Sequence, residues 1–463
     1  MKSSVTLKSV HSSSMAKHSH AEKKKSAYVV DVNMGYGHSR AAYALKDLSA
    51  GEIISANDYK GIPKYDAKMW GESRKVYEAI SRMKPIPVVG DFLFESLDHW
   101  QQIKKFYPRR DLSKPNLQVR QIYHMIKKGM GKHLIAKLAE DPKPFVTTFF
   151  IPAFFAEYYD YPGDIWCVTT DADISRAWAP LNPKESRIKY LASNGRVVER
   201  LKLYGVKAEN IYATGFPMPK ELIGGVRSPI LKDLLTERLC NLDPNGIFHE
   251  RYARTLKAEL GPARCKKTAS AHPLTLTYSV GGAGAQRALG VKILKSLKHK
   301  ISRHEIRLNL MAGYRKDAIA YYRKAVADLG LKKELGTWVN VPEHASREAY
   351  FSDYNEVLKT TDILWTKPSE MSFYCGLGMA VIMAPPIGSQ EEFNRVWLNY
   401  MGGGVSQNDP RYTNEWLFDW IESGGVARMA WSGYIEAPTH GTYRIEDLVL
   451  GRKSEIHPLP LIV

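Results

Sequence analysis

The chain has 463 residues, 44% of them hydrophobic and 25% charged. That balance excludes a disordered chain, a collagen-like fibre and a long coiled coil, and it leaves room for two or three domains with large cores. Lys and Arg exceed Asp and Glu by 66 − 48 = 18, a surplus that favours contact with phosphates, in nucleic acid or at an anionic membrane surface, and is silent on fold.

The four cysteines, Cys167, Cys240, Cys265 and Cys375, lie far apart with neither metal-ligand nor CxxC spacing. Reduced thiols in a cytoplasmic setting are expected. The longest apolar stretch, Phe145 to Ala156, carries a proline and is too short to span a bilayer.

Residues 1–26 are rich in Ser, Lys and His with a single acid, Glu22, and read as a disordered tail. AYVVDVN from Ala27 predicts a buried strand, MGYGH a turn, and SRAAYALKDLS a helix, the opening of a doubly wound α/β unit. Strands follow at PFVTTFF, DIWCVTT, RIKYLAS and ENIYATG, with helices between them. Residues 27–225 therefore read as one Rossmann-like domain. The stretch 226–272 breaks this rhythm with helix-like pieces and turns, and is expected to be a linker or insertion. A second Rossmann-like domain is expected over 273–463. It opens with LTLTYSV, a glycine turn GGAGAQ and the helix RALGVKILKSLKHKI, and continues through EIRLNLMAG, DILWT and MAVIMAPP.

Three constellations carry chemistry. In the first glycine turn, Gly35 and Gly37 let a ligand approach the backbone ahead of a helix N-terminus, and His38 places an imidazole at the mouth of the cleft, where it can accept a proton near neutral pH. A helix-capping histidine is the bland alternative. The second turn, Gly281-Gly282-Ala283-Gly284-Ala285-Gln286, suits a diphosphate held by successive N–H groups. It matches neither a Walker loop nor a dinucleotide fingerprint, so no NAD or other cofactor is expected. The third is Lys367-Pro368-Ser369-Glu370 together with Gln390, Glu391 and Asn394. Both of its parts fall at carboxyl ends of predicted strands, where open α/β sheets bind ligands and a carboxylate can chelate ribose hydroxyls. Ordinary helix capping by Ser369 and Ser389 is the alternative there. Asp171 and Asp173 form a D-x-D pair without a second ligand cluster, so no metal site is expected. Between 101 and 139, ten Lys or Arg stand against Asp111 alone, interleaved with Phe106, Tyr107 and Tyr123. Such a face suits anionic lipid headgroups, nucleic acid or plain solvation.

In order, GYGH, TTDADISRAW, KYLAS with VVERLKLYGV, ATGFPM, SVGGAGAQ, DILWTKP and CGLGMAVIMAPPIGSQEEFN resemble the GT-B glycosyltransferases that make monogalactosyl- and glucosyl-diacylglycerol, and more distantly the GlcNAc transferase of the lipid-linked peptidoglycan precursor. The resemblance spans roughly 27–430. It implies two Rossmann-like domains facing across a cleft and transfer of a hexose from a nucleotide sugar, of the UDP-sugar kind, to a hydroxyl acceptor such as a lipid, with inversion.

Carried over, Gly35, Gly37 and His38 lie at the acceptor and reaction centre, with His38 as base. Asp171 or Asp173 faces the cleft. Gly281 to Gln286 approach the donor diphosphate, Glu370 matches the ribose-binding Glu, and Gln390 and Glu391 meet the donor sugar. Lys367, Ser369 and Asn394 join the same donor site. A nucleotide-sugar donor, a lipid acceptor and an anionic membrane surface touching 101–139 are the implied partners, with no nucleic acid, and a cytoplasmic protein peripheral to the membrane is the implied setting. Two departures stand out. Ser369-Glu370 follows Lys367-Pro368 at once, where the family has several more residues, and Ser389 is inserted into the Gly-Gln-Glu motif. An epimerase on the same fold, and a non-catalytic membrane- or nucleic-acid-binding protein that keeps the fold, are the alternatives.

Overall fold

The computed structural model describes residues 26–72, 103–281 and 286–454. The tail expected over 1–26 falls, but for Ser26, outside these residues, as do Gly282, Ala283 and Gly284 of the second glycine turn.

Two six-stranded, wholly parallel sheets organise the chain. The first holds β1 (Tyr28–Asp31), β2 (Ile54–Ser55), β3 (Phe145–Thr147), β4 (Ile165–Val168), β5 (Lys189–Ala192) and β6 (Ile211–Ala213), in the order β2-β1-β3-β4-β5-β6. The second holds β7 (Thr275–Ser279), β8 (Arg307–Met311), β9 (Val339–Asn340), β10 (Ile363–Thr366), β11 (Ala380–Met383) and β12 (Gly404–Ser406), in the order β12-β11-β10-β7-β8-β9. That second order is the doubly wound dinucleotide-fold topology. The central strands are short apolar runs buried on both faces, as parallel sheets covered by helices require; β4 and β10 have every residue buried, while the edge strands β6 and β12 have none. The two-domain, doubly wound α/β architecture agrees with the sequence expectation. The edge strands β2 and β12 are too short to stand out as sequence signals.

Helices cover both sheets: α1 (Tyr36–Ala44), α2 (Leu117–Lys127), α3 (Lys132–Ala139), α4 (Phe150–Tyr158) and α5 (Gly195–Leu203) in the first half, then α6 (Pro229–Leu242) and α7 (Ile247–Leu260). The second half has α8 (Arg287–Ser302), α9 (Lys316–Asp328), α10 (Arg347–Lys359), α11 (Ser389–Tyr400), α12 (Thr413–Glu422), α13 (Gly425–Glu436) and α14 (Gly441–Val449). Helix α5 shows how the local sequence sets an element. Asn194 caps it by accepting from the Val197 N–H at 3.0 Å, and Val197, Val198 and Leu201 form its buried stripe.

Two segments pack differently from the boundaries expected. The stretch 226–272 supplies α6 and α7, whose Leu235, Leu239, Leu242, Phe248 and Leu256 join the second core with Leu276 and Ile293. The chain end crosses back: Ile445 and Val449 of α14 pack with Val29, Val168 and Leu191 of the first sheet, and the Thr442 hydroxyl donates to the Met218 carbonyl at 2.5 Å. A side chain at Gly441 would collide with the Phe216 carbonyl oxygen, so glycine lets α14 lie flat on the first domain. Among the described residues, no helix is long and apolar enough to cross a membrane.

Candidate active site

Each sheet reverses its strand order once, between β1 and β3 in the first and between β7 and β10 in the second, and ligands of such sheets bind outside the carboxyl ends at this point. The two reversals face each other. His38 follows β1, and Glu370 follows β10. A Cβ built on Gly37 would stand 3.0 Å from Glu370 Oε2, so the second domain's carboxylate rests directly on the first glycine turn. Gly35 has φ 119°, a conformation that only glycine adopts readily, and this bend starts α1 at Tyr36. Gly37 and His38 therefore lie inside the first helical turn, the helix starting three residues earlier than the sequence pattern predicts.

His38 is half-buried and oriented from one side. Its Nδ1 lies 2.8 Å from the Thr148 carbonyl oxygen at the end of β3, and the Thr170 hydroxyl lies 3.2 Å from the same nitrogen. A carbonyl only accepts, so Nδ1 carries the proton in the neutral ring and Nε2 holds the lone pair. Nε2 makes no hydrogen bond among the described residues. The Phe149 ring meets the imidazole edge-on at 4.6 Å between centroids, with Trp178 at 6.2 Å. Burial pushes the imidazole below its usual range, partly offset by the Thr148 carbonyl and by Glu370, and so keeps the ring neutral at pH 7.

The D-x-D pair divides. Both carboxylate oxygens of Asp173 are committed: Arg200 Nε donates to one at 2.8 Å, Arg200 Nη2 to the other at 2.7 Å, and Arg196 Nε adds a third bond at 3.1 Å. Asp173 and Arg200 are both buried, so this pair fixes the loop after β4 rather than lining the cleft. Asp171 instead accepts one bond, from Asn394 Nδ2 at 2.9 Å. Burial raises its carboxyl to about 6, Glu370 and Glu391 adding to the rise while Asn394 and Lys367 oppose it.

This shift has a measurable sign. A folded value near 6 against about 3.8 unfolded means that the native state binds a proton the unfolded chain lacks, so stability falls as pH rises from roughly 4 to 6 and is level above. Asp171→Asn keeps an oxygen for Asn394 and removes the ionisation. Its melting temperature is expected to match the parent near pH 4 and to exceed it increasingly up to pH 6, in thermal melts run across pH 4–8. A gap independent of pH would refute the assignment.

Asn394, expected at the donor sugar, is fully buried and spent on the domain contact: its Oδ1 accepts from the Ala172 N–H at 2.7 Å, while its amide serves Asp171. Glu391 is ion-paired with Lys367 and also accepts from the Ile387 N–H at 2.7 Å. Gly281 abuts the Lys367 side chain, its Cβ position 2.9 Å from Cε. Gln286 donates to the Pro385 carbonyl at 2.8 Å. Gln390 is half-buried and makes no hydrogen bond among the described residues. Among the described residues the buried hydroxyls of Thr366, Ser369, Ser372 and Ser389 have no hydrogen-bond partner. Neither Ser369 nor Ser389 caps its helix through the side chain. Polar atoms without partners, gathered at the strand ends of the second sheet, are what a polar ligand would satisfy.

The domains also join through Arg347 at the start of α10, which donates to Asp31 at 3.1 Å, Ser39 at 3.1 Å and Ser55 at 3.0 Å. Beside this clamp a cavity of about 500 Å³ opens, lined by Asn33, Ser55, Tyr59, Lys137, Tyr314 and Arg347. All ten Lys and Arg of 104–137 are exposed. Of the interleaved aromatics only Tyr107 joins them at the surface, since Phe106 packs under Arg196 and Arg200 and Tyr123 belongs to the first core. Among the described residues no cluster of His, Cys, Asp and Glu could hold a metal ion. Sequence reasoning missed Thr148, Thr170, Arg40 and Arg347. The paired threonines closing FVTT and CVTT were a usable signal, since both stand at carboxyl ends of strands.

No family model matches the chain, and no curated protein sequence does. Solved structures of similar shape include the S. aureus MnaA–UDP co-structure (TM-score 0.44, 10% identity, 94% of this chain and 99% of that one). Acinetobacter baumannii MurG is another (TM-score 0.43, 12% identity, 92% and 99%), as is the glycotransferase of kitacinnamycin (TM-score 0.45, 13% identity, 92% and 98%).

Proposed function

We propose that the chain is a nucleotide-sugar-dependent hexosyltransferase acting with inversion on a hydroxyl acceptor, with a UDP-sugar as donor and a lipid as acceptor. The observation that carries this reading is His38: a neutral imidazole fixed through Nδ1, with Nε2 unbonded, where the switch points of two Rossmann-like domains meet. The acceptor oxygen attacks the anomeric carbon, its proton passes to Nε2, and the bond from that carbon to the diphosphate oxygen breaks with the electron pair leaving on the diphosphate. Glu370 and Asp31, the carboxylates whose charge reaches the ring, steady the imidazolium formed. Glu370 holds the ribose hydroxyls, Gln390 and the Lys367–Glu391 pair meet the sugar, and the unpartnered Thr366 and Ser369 hydroxyls meet the donor. Backbone N–H groups and cationic side chains receive the departing charge. The cavity beside Asn33 admits the acceptor, and the exposed basic face of 104–137 rests on anionic headgroups as a peripheral contact.

The test is calorimetric titration of the purified protein with UDP, GDP, ADP, TDP and their sugars without added metal. Selective binding of one nucleotide, lost in Glu370→Ala, is expected. Binding of none would overturn the reading.

A further inference from the structure

Arg40 is a buried charge with two unpartnered donors among the described residues. It sits on α1, is 3% exposed, and reaches the second domain. Among the described residues its one side-chain hydrogen bond runs from Nε to Glu370 Oε1, at a long 3.4 Å. The guanidinium lies over the Tyr354 ring at 4.3 Å and the Phe351 ring at 5.1 Å, with Tyr350 at 5.7 Å. The Tyr374 hydroxyl comes within side-chain hydrogen-bonding reach of the guanidinium, yet among the described residues Nη1, Nη2 and the Tyr374 hydroxyl make no hydrogen bond of full geometry.

This arrangement is expensive as a purely structural one. A buried ion is normally retained with its hydrogen bonds filled, and leaving donors of a charged group unmade costs more than leaving neutral ones. The same core shows the alternative, since buried Arg238 gives Nε, Nη1 and Nη2 to the carbonyls of Thr361, Leu377 and Leu358 at 2.6–2.8 Å. Arg40 has no such carbonyls, and Glu370 takes only its Nε. The Nη1–Nη2 edge is left as a planar fork, the geometry that matches two oxygens of a phosphate. It stands beside Glu370, which follows β10 at the reversal of the second sheet. Aromatic faces stiffen the side chain, so little conformational freedom is lost on binding.

We infer that Arg40 is a phosphate-binding residue: contributed by the first domain, it grips the donor's diphosphate across the cleft through Nη1 and Nη2. This rests on the nucleotide-sugar reading and deepens it. The diphosphate, expected from sequence to meet mostly the second domain, would thereby tie the domains together when the donor is bound.

The experiment titrates the full chain with UDP, uridine and inorganic pyrophosphate, without metal, in the parent and in Arg40→Met and Arg40→Lys, with a thermal melt of each. Arg40→Met fills the same volume but leaves the buried Glu370 carboxylate without its cation, so its melting temperature is expected to fall, while in the folded variant affinity for UDP and pyrophosphate falls tenfold or more and that for uridine holds. Arg40→Lys keeps the charge and loses the fork, so UDP affinity falls there too, and this variant carries the test should the methionine variant not fold. Unchanged UDP and pyrophosphate affinity in a folded variant would overturn the inference. If the parent binds pyrophosphate through Arg40 but no nucleotide, the phosphate site stands and the nucleotide-sugar reading falls. If it binds neither, both fall.

Discussion

Replacing His38 by alanine is expected to lower turnover roughly 10²–10⁴-fold at saturating donor, the range that positioned proton transfer contributes, with donor affinity within about twofold of the parent. The split follows from geometry. Nδ1 is tied to the Thr148 carbonyl, so the ring serves the reaction through Nε2 and contributes little to donor binding. The pH profile adds a second readout. Burial places the imidazole below its usual range, so the acid-side fall in rate, as Nε2 takes up a proton, lies at lower pH than an unperturbed imidazole would give. In His38→Ala that limb disappears. A variant with full turnover, or one that fails through loss of donor affinity alone, would remove His38 from the reaction centre.

The second large effect concerns folding. Arg200→Met is expected to destabilise the protein by about 3–5 kcal/mol in urea unfolding, because it strands Asp173, a buried carboxylate, after removing a bidentate partner. Arg200 also gives Nη1 to the Lys104 carbonyl at 2.9 Å, so the start of the basic segment loosens with it. Arg196 keeps one bond to Asp173 and sets the lower end of that range. A change below about 1 kcal/mol would mean that the pair is not formed in solution.

These two residues also mark how far the sequence can be read. The strand, glycine turn and helix at 27–48 and at 274–301 announce themselves through apolar runs of strand length followed by a change of period, and the doubly wound fold follows from them. His38 and Glu370 were legible because each stands just past such a strand. The choice between Asp171 and Asp173 was not legible. They are two residues apart on one loop, and what separates them is Arg200, on a helix brought alongside only by the parallel pairing of β4 with β5. Arg40 is equally silent in sequence, since an arginine on an opening helix normally faces water. It is buried because α10 of the other domain lays Tyr350, Phe351 and Tyr354 over it. Asn394 has the residue type of a sugar ligand, yet the closed domains consume both ends of its amide. Contacts between domains are long-range, and local pattern does not encode them.

The central claim is transfer, and the most direct measurement is of the product. The protein is incubated with UDP-α-hexoses and vesicles of anionic lipid containing diacylglycerol, and both the lipid and the nucleotide sugar are examined by NMR. The account predicts a new glycolipid with a β-anomeric linkage and stoichiometric UDP, abolished in His38→Ala. A nucleotide sugar that changes stereochemistry with no glycolipid formed would contradict it, and so would a donor that binds and is recovered unchanged.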